Sequence, residues 1–355
     1  MNIVLAIDSF KGCLTSQQVE AALAACYQAH GLQVTSLPMS DGGDGMLHAF
    51  ADALGGTLRE TTVHDPLMRT IKAHYAVCPG RTTIVESAQA CGLSLLSPEE
   101  RNPLLASTFG VGELLLAAMS EGCRHFIIGL GGSGTSDCGR GMLLALAQQL
   151  TCGSLEALPH HPLIKSRHFT LASDVQNPLY GPNGAAWVYG AQKGATPDMQ
   201  HKLDLQAQHF AEQSAQALGH DASLCPGAGA AGGLGYAFMQ YLGAEVHSGA
   251  DMLLERPQTR HLLSNADLVI TGEGSADRQT LMGKLPLRVL HQVKQNGHAP
   301  VWLIAGRVAD QQALMREGFD RVACITPPGM PLATAIRPEV ARANLVRWAE
   351  SSIDM

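Results

Sequence analysis

Residues 126–142 read FIIGLGGSGTSDCGRGM, an apolar run that ends in a glycine-rich turn and is followed by the apolar residues from Met142 to Leu150. Phe126, Ile127 and Ile128 predict a short strand buried on both faces, because a continuous apolar run bounded by glycine keeps no polar side for water. Gly129, Gly131, Gly132 and Gly134 let the backbone bend tightly, and Ser133, Thr135, Ser136 and Asp137 are all suitable helix N-caps. A glycine-lined helix N-terminus also presents backbone N–H groups with the positive end of the helix dipole behind them, which suits an anion such as phosphate. The string matches neither GxxxxGK[ST] nor GxGxxG. By itself it fits a phosphate loop and a plain strand-to-helix turn equally.

Working outward, the start of the chain repeats the strand-then-turn pattern. Asn2 to Ile7 (NIVLAI) predicts a buried strand, with Asp8, Ser9 and Lys11 at its end and an apolar-periodic helix from Gln17 to Tyr27. A second strand, Gln33 to Met39, ends in Ser40, Asp41, Gly42, Gly43, Asp44 and Gly45 before a helix from Met46 to Ala53. In open α/β sheets ligands collect at the carboxyl ends of strands, so these two acidic strand ends are candidates by position. The last hundred residues return to simple alternation, with strands at 267–271, 301–305 and 322–325 and helices between them. Those three strands and the first two predict a five-stranded doubly wound sheet, with the middle of the chain as an insertion.

The middle has a different rhythm. Short strands at 57–63, 71–77 and 83–86, joined by turns such as His64-Asp65-Pro66, predict an antiparallel or mixed sheet. Helix signals follow from Ser107 to Glu121, then the strand at 126–128 and its turn. Residues 150–167 read as a loop; its adjacent His160 and His161 have no third ligand at helical spacing, so a solvated loop is favoured over a metal site. A strand at 170–172 leads to Asp174 and Asn177, and Gln192-Lys193-Gly194 leads into a helix from Pro197 to Leu218. PGAGAAGGLGYA (226–237) is a second glycine-rich loop running into a helix. The fold class expected is α/β: a doubly wound Rossmann-like domain (1–50 and 256–355) with a second, mixed α/β domain inserted in it (51–255).

Composition agrees with an enzyme of this class. The 355 residues are 46% hydrophobic and only 15% charged, with 38 glycines, which suits two domains at about 150 residues each around large aliphatic cores. A net charge of −7 without any Lys/Arg block argues against nucleic acid or an anionic membrane as the main partner, so an anionic substrate has to be held by local groups. Residues 1–8 are too short for a secretory apolar segment, and no apolar run approaches the ~18 residues that span a bilayer; a cytoplasmic protein is expected. The nine cysteines are scattered without a CxxC pair and read as reduced, buried small hydrophobes, with Cys138 inside the glycine turn the one to watch.

The strand-end loops gather five acids (Asp8, Asp41, Asp174, Glu273, Asp277), four cations (Lys11, Lys193, Arg278, Lys284) and the two glycine-rich loops. Phosphoryl transfer is the reaction class that uses this mixture, since its catalysis is mainly positioning and charge stabilisation. Carboxylates can share Mg²⁺ with phosphate oxygens. No GxSxG elbow or Cys/His pair is present for acyl chemistry, and no GxGxxG follows the first strand as a dehydrogenase would require.

AIDSFKGCLTS, SDGGDGM, LGGSGTSDCGRGM, DVQNPLYGPNGAA, GAQKGAT, PGAGAAGGLG, LGAEVHSGADMLL and TGEGSADRQTLMGKLP, spanning residues 6 to 286 in order, resemble the motifs of the bacterial type I glycerate kinase family. The resemblance implies an ATP-dependent kinase that phosphorylates D-glycerate, typically to 2-phosphoglycerate, on two α/β domains with one inserted in the other. The chain departs from the family pattern at Gly134, Ser136, Cys138 and Arg140, where Ala, Asn, Gly and Ala are usual. It also has Ser275-Ala276 where Arg-Ile is usual, and the segment after Leu150 is shorter. Arg140 and Arg278 are the candidates to replace the missing arginine.

On this reading the ATP phosphates lie over Gly131, Gly132, Ser133, Gly134 and Thr135 and over the loop with Gly229, Gly232 and Gly233, with Lys193 as a further contact. Mg²⁺ falls to Asp41, Asp174 and Asp277. Ser9, Asp41, Asn177 and Arg278 are expected to bind substrate, with the acid's carboxylate meeting Lys11 or Arg278. Asp8 or Asp174 would orient the attacking hydroxyl, and Lys284 would stabilise charge on the transferring group, which makes Asp8, Lys11, Asp174 and Lys284 the expected catalytic set. The expected partners are ATP and glycerate or a similar hydroxy acid, with neither nucleic acid nor membrane, on a monomer or homodimer. The alternatives are a kinase of a related hydroxy acid and a non-catalytic small-acid or nucleotide binder; the latter could dispense with the acids, and all five are present.

Overall fold

The structure, a computed structural model, describes residues 1–353 apart from Lys11 and Asp44. The expected catalytic Lys11 therefore lies outside the described residues. Its strands in chain order are β1 (Asn2–Ile7), β2 (Gln33–Ser36), β3 (Thr57–His64), β4 (Thr70–Cys78), β5 (Thr82–Glu86), β6 (His125–Gly129), β7 (His168–Ala172), β8 (Glu245–His247), β9 (Leu268–Ala276), β10 (Val301–Val308) and β11 (Arg321–Cys324). They form two sheets, and the chain divides into two compact units, Met1–Ala53 with Ala250–Met355, and Leu54–Gly249.

The first unit holds a five-stranded sheet of order β11-β10-β9-β1-β2, parallel throughout. Ile3, Leu5 and Ile7 of β1 and Ile270 of β9 share a core with Leu23 and Tyr27 of the helix Ser16–Ala29 and Leu345 and Trp348 of the helix Pro338–Ser352. The alternate residues Val4, Ala6, Val269 and Leu303 are buried as well, so both faces of the sheet are covered, as the all-apolar strands require. The α/β, doubly wound class read from the strand signals is the class observed. The helix Ser16–Ala29 starts one residue earlier than the apolar period suggests, because Thr15 and Gln18 form a capping box at its N-terminus.

Two strands differ from their sequence reading. β2 ends at Ser36, three residues short of the expected Met39, because the chain leaves the sheet there and Met39 N–H turns to the Ser16 hydroxyl. β9 runs on to Ala276, through glycines that read as turns. Its partner β10 runs alongside to Val308 and pairs Ala305 with Glu273, Arg307 with Ser275 and Val308 with Ala276, so the backbone stays extended. Glu273 is thus a strand residue.

The second unit holds a six-stranded mixed sheet in sequence order, β3-β4-β5-β6-β7-β8. β3, β4 and β5 pair antiparallel, and β5 to β8 run parallel. Phe126 and Phe169 from neighbouring strands lie 5.1 Å apart between ring centroids and lead into the core with Leu146, Phe210, Tyr236 and Phe238. The helix Pro197–Leu218 has the bounds read from the sequence, with Thr196 accepting a hydrogen bond from Met199 N–H at its start and left-handed Gly219 at its end. Residues 150–167, read as loop, contain a 3₁₀ segment at Leu155–His160 and a short helix at Pro162–Lys165. Pro162 supplies the first helical position and the His161 ring accepts from Leu163 N–H, so this histidine caps a helix. No helix among the described residues is long and apolar enough to cross a membrane.

Candidate active site

In the second unit the opening stretch is a strand, β6, whose chain leaves the sheet at Gly129 and is at once stitched to residues 91–93. Ser133 bridges Gly92, Leu93 N–H donates to the Gly132 carbonyl at 2.7 Å, and Gly134 N–H donates to the Cys91 carbonyl at 2.8 Å. Gly134 therefore serves the turn's own fold, and its amide is not held open for a phosphate. Ser133, Gly134 and Thr135 are buried, whereas Gly131 is half-buried and Gly132 exposed, so the accessible arc of the turn is its first two glycines. Asp137 accepts from Thr108 N–H and hydroxyl at 2.9 Å and from Gly139 and Gly141 N–H at 3.0 Å, which ties the start of the helix Arg140–Gln149 to the start of the helix Phe109–Ser120.

Lys193 is the centre of this arrangement. Its ammonium is 2% exposed and donates to the Ser133 hydroxyl at 2.9 Å and to the Thr135 carbonyl at 2.6 Å. Burial lowers its pKa to about 8, with Cys91 and Asp137 opposing the shift. The sequence reading made Lys193 a direct ligand contact; in the structure it braces the glycine turn from inside. Around it the hydroxyls of Thr135 and Ser136 are buried without a hydrogen-bond partner. Cys138 is enclosed, and burial pushes its thiol up to about 12, which removes it from thiolate chemistry.

The second glycine-rich loop packs on the first. Gly229 N–H donates to the Asn177 carbonyl at 2.9 Å, Cys138 N–H donates to the Gly232 carbonyl at 3.1 Å, and a Cβ built on Gly232 would overlap the Thr135 carbonyl oxygen. Ala231, Gly232 and Gly233 all have positive φ (52°, 67° and 88°), a run that L side chains rarely adopt. Gly229, Gly232 and Gly233 are buried, and a Cβ on any of them would meet neighbouring atoms, so close backbone approach accounts for their lack of side chains. Asn177 is tied down by its own contacts, donating to the Asn183 carbonyl at 2.9 Å and accepting from the Tyr189 hydroxyl at 2.7 Å. Asp174 lies half-buried just past the end of β7, the strand beside β6. Arg140 is exposed and sits over the Phe210 ring at 5.2 Å.

In the first unit the C-terminal edge of the parallel sheet collects the expected acids. Ile7 pairs with Gly272, so Asp8 follows β1 beside Glu273 on β9. Asp8 N–H donates to the Gly272 carbonyl at 3.0 Å, and the Asp8 carboxylate accepts from Ser9 N–H at 2.7 Å. Ser9 itself is buried. Beyond β2, Asp41 accepts from Gly43 N–H at 2.9 Å. Glu273 is buried and accepts from the Thr280 hydroxyl at 2.5 Å and the Lys284 ammonium at 3.2 Å. Burial raises the Glu273 carboxyl above the usual range, and the bonds from Thr280 and Lys284 oppose this only in part. Asp277 accepts from Gln279 N–H at 2.7 Å, and the exposed Arg278 pairs with Asp310 at 3.1 Å.

The sequence reading missed three participants here: Thr280, and the helix residues Ser16 and Glu20. The last two had a signal, since Ser16, Val19, Glu20, Leu23 and Tyr27 form one helical stripe that is buried throughout, and two polar residues on an apolar stripe need partners inside. Among the described residues no three His, Cys, Asp or Glu side chains stand close enough to hold a metal ion. Asp41 and Asp277 belong to one unit and Asp174 to the other.

The model of the Glycerate kinase family matches residues 3–355. A glycerate kinase of Bacillus subtilis (strain 168) is 38% identical, covering 94% of this chain and 93% of its own length. A glycerate 2-kinase of Escherichia coli (strain K12) is also 38% identical, covering 91% of this chain and 90% of its own. The crystal structure of a protein assigned as glycerate kinase 2 from Salmonella typhimurium LT2 superposes with a TM-score of 0.78 at 33% identity, over 99% of this chain and 96% of that one.

Proposed function

Given that this chain belongs to the glycerate kinase family, phosphotransferases with an alcohol group as acceptor, we propose that it transfers the γ-phosphoryl group of ATP to a hydroxyl of D-glycerate, giving 2-phosphoglycerate. The observation that carries the reading is the edge of the first unit's sheet, where Asp8 ends β1 next to the strand whose Glu273 holds Lys284. A carboxylate that can accept the attacking hydroxyl's proton and a cation that can meet charge on the transferring phosphoryl group thus leave neighbouring strands at the same end.

Asp8 orients the attacking hydroxyl, and Lys284, steered by Glu273, stabilises the phosphoryl oxygens. Arg278 meets the carboxylate of the acid; its ion pair with Asp310 is at the surface, where such pairs contribute little. In the second unit the phosphates of ATP lie on the arc of Gly131 and Gly132, with the turn held in shape by Lys193, and Asp174 at the neighbouring strand end. Mg²⁺ enters with ATP as part of the substrate and is met by Asp41 or Asp174.

A coupled ADP-release assay with D-glycerate and a panel of related hydroxy acids, followed by ³¹P NMR of the product, tests this. Turnover with D-glycerate and a phosphorus on C2 is the expected outcome. ADP release with another acid and none with D-glycerate would reassign the substrate, and a C3 product would overturn the position of transfer.

A further inference from the structure

β1 outlasts its neighbour. β2 stops at Ser36, and Leu37 N–H makes the last main-chain bond to β1, at the Leu5 carbonyl, 2.8 Å. Asp8 N–H goes to Gly272 on the β9 side, so by the alternation of a strand Ile7 points its N–H and carbonyl to the other side, where β2 has ended. Both groups are buried and need partners. They find them on one helix: the Glu20 carboxyl accepts from Ile7 N–H at 3.0 Å, and the Ser16 hydroxyl donates to the Ile7 carbonyl at 2.6 Å. Ser16 and Glu20 are four residues apart on one helix face, and together they replace the missing strand.

The same Ser16 hydroxyl also accepts from Met39 N–H at 3.0 Å. One oxygen therefore joins the residue before Asp8 to the segment that leads, through Ser40, into Asp41. Ser16 is 6% exposed and Glu20 1%, so neither can touch a ligand directly. Burial raises the Glu20 carboxyl well above the usual range, with the bond from Ile7 N–H and then the Ser36 side chain opposing it.

We propose that Ser16 and Glu20 are positioning residues of the phosphotransfer reaction, with Ser16 fixing the strand ends of Asp8 and Asp41 relative to each other and Glu20 holding the Ile7 peptide. This rests on the assignment of Asp8 and Asp41 to the site. The test combines amide hydrogen exchange with steady-state kinetics on the full chain, at a temperature where circular dichroism finds each variant folded. Ser16→Ala is expected to lose protection at residues 7–9 and 39–43 together while Val4 and Leu5 keep theirs, and to lower kcat by about 10²-fold through misplacement of the acids. Glu20→Leu is expected to open residues 7–9 and lower kcat, whereas Glu20→Gln, which keeps the acceptor oxygen, stays within about threefold of the parent.

Leu23→Ala, a core change on the same helix, is the control: it should lower Tm at least as much as Ser16→Ala and keep kcat within about threefold. Exchange that opens only one strand end in Ser16→Ala, or equal kcat losses in Ser16→Ala and Leu23→Ala, overturns the proposal. Absence of turnover by the parent chain with every acid defeats the substrate reading separately, and the exchange pattern then decides whether Ser16 joins the two ends.

Discussion

The ammonium of Lys193 donates to the main-chain carbonyl of Thr135 at 2.6 Å, sixty residues' reach from the Ser133 hydroxyl it also holds. This lysine is enclosed, and both of its bonds hold the glycine turn in shape. Lys193→Met leaves the Ser133 hydroxyl and Thr135 carbonyl without their donor, and is expected to cost about 1–3 kcal/mol of stability and to raise the KM for ATP more than that for the acid. The pH dependence has a definite sign. The native state releases the Lys193 proton near pH 8, while the unfolded chain keeps it to about pH 10.4. Between those values unfolding takes up a proton, so the native state gains stability as pH rises; below about pH 8 the contribution is constant. Thermal melts of the parent and of Lys193→Met from pH 7 to 10 should therefore show a Tm difference that widens above pH 8 in the parent's favour, and a constant difference would contradict the buried ammonium.

Gly232 has φ 67° and lies against the Thr135 carbonyl. Gly232→Ala adds strain and overlap at the contact between the two glycine-rich loops. A loss of about 2–4 kcal/mol is expected, read as a fall in the denaturation midpoint, together with reduced turnover. An alanine variant of parental stability would remove the close-approach explanation for this glycine.

Asp8→Asn keeps the size and the acceptor for Ser9 N–H but loses the proton acceptor. A fall in kcat of about 10²–10⁴ with little change in Tm is the expected outcome of kinetic assays and melts. Lys284→Ala is expected to lower kcat by about 10²–10³. Because Lys284 is bonded to Glu273, the double variant Glu273→Gln/Lys284→Ala should lose less than the product of the two single losses, and strict multiplicativity would mean the pair does not act as a unit.

The Arg140 guanidinium lies over the Phe210 ring at 5.2 Å. Arg140→Ala should therefore cost about 0.5–1 kcal/mol of stability through the lost cation–π contact and leave kcat/KM close to the parent value. A large loss of turnover would return Arg140 to the role of a replacement phosphate arginine.

How far the sequence reaches can be judged from particular elements. Apolar runs and their period located β1, β6 and the helix Pro197–Leu218, and the alternation in the last hundred residues placed three more strands in the sheet of β1 and β2. The acids at strand ends were legible for the same reason: a strand's end is a local feature, and Asp8 follows immediately on β1, Asp174 two residues after β7 and Asp41 five residues after β2. The extension of β9 through Gly272 and Gly274 was not, since glycine reads as a turn until β10 is known to run beside it.

Burial of polar groups escaped the sequence more completely. Lys193 before a glycine looks like a solvent-facing ligand contact, and only the meeting of residues 133, 135 and 193 turns it into a brace. By itself the sequence determined the α/β class, the strand-end acids and, through its motifs, the family, because periodicity and turn chemistry act over a few residues. Tertiary structure alone decided which glycines serve close packing, which lysine is enclosed and which helix side chains complete β1, because those outcomes depend on hydrogen bonds between segments that only the fold brings within reach.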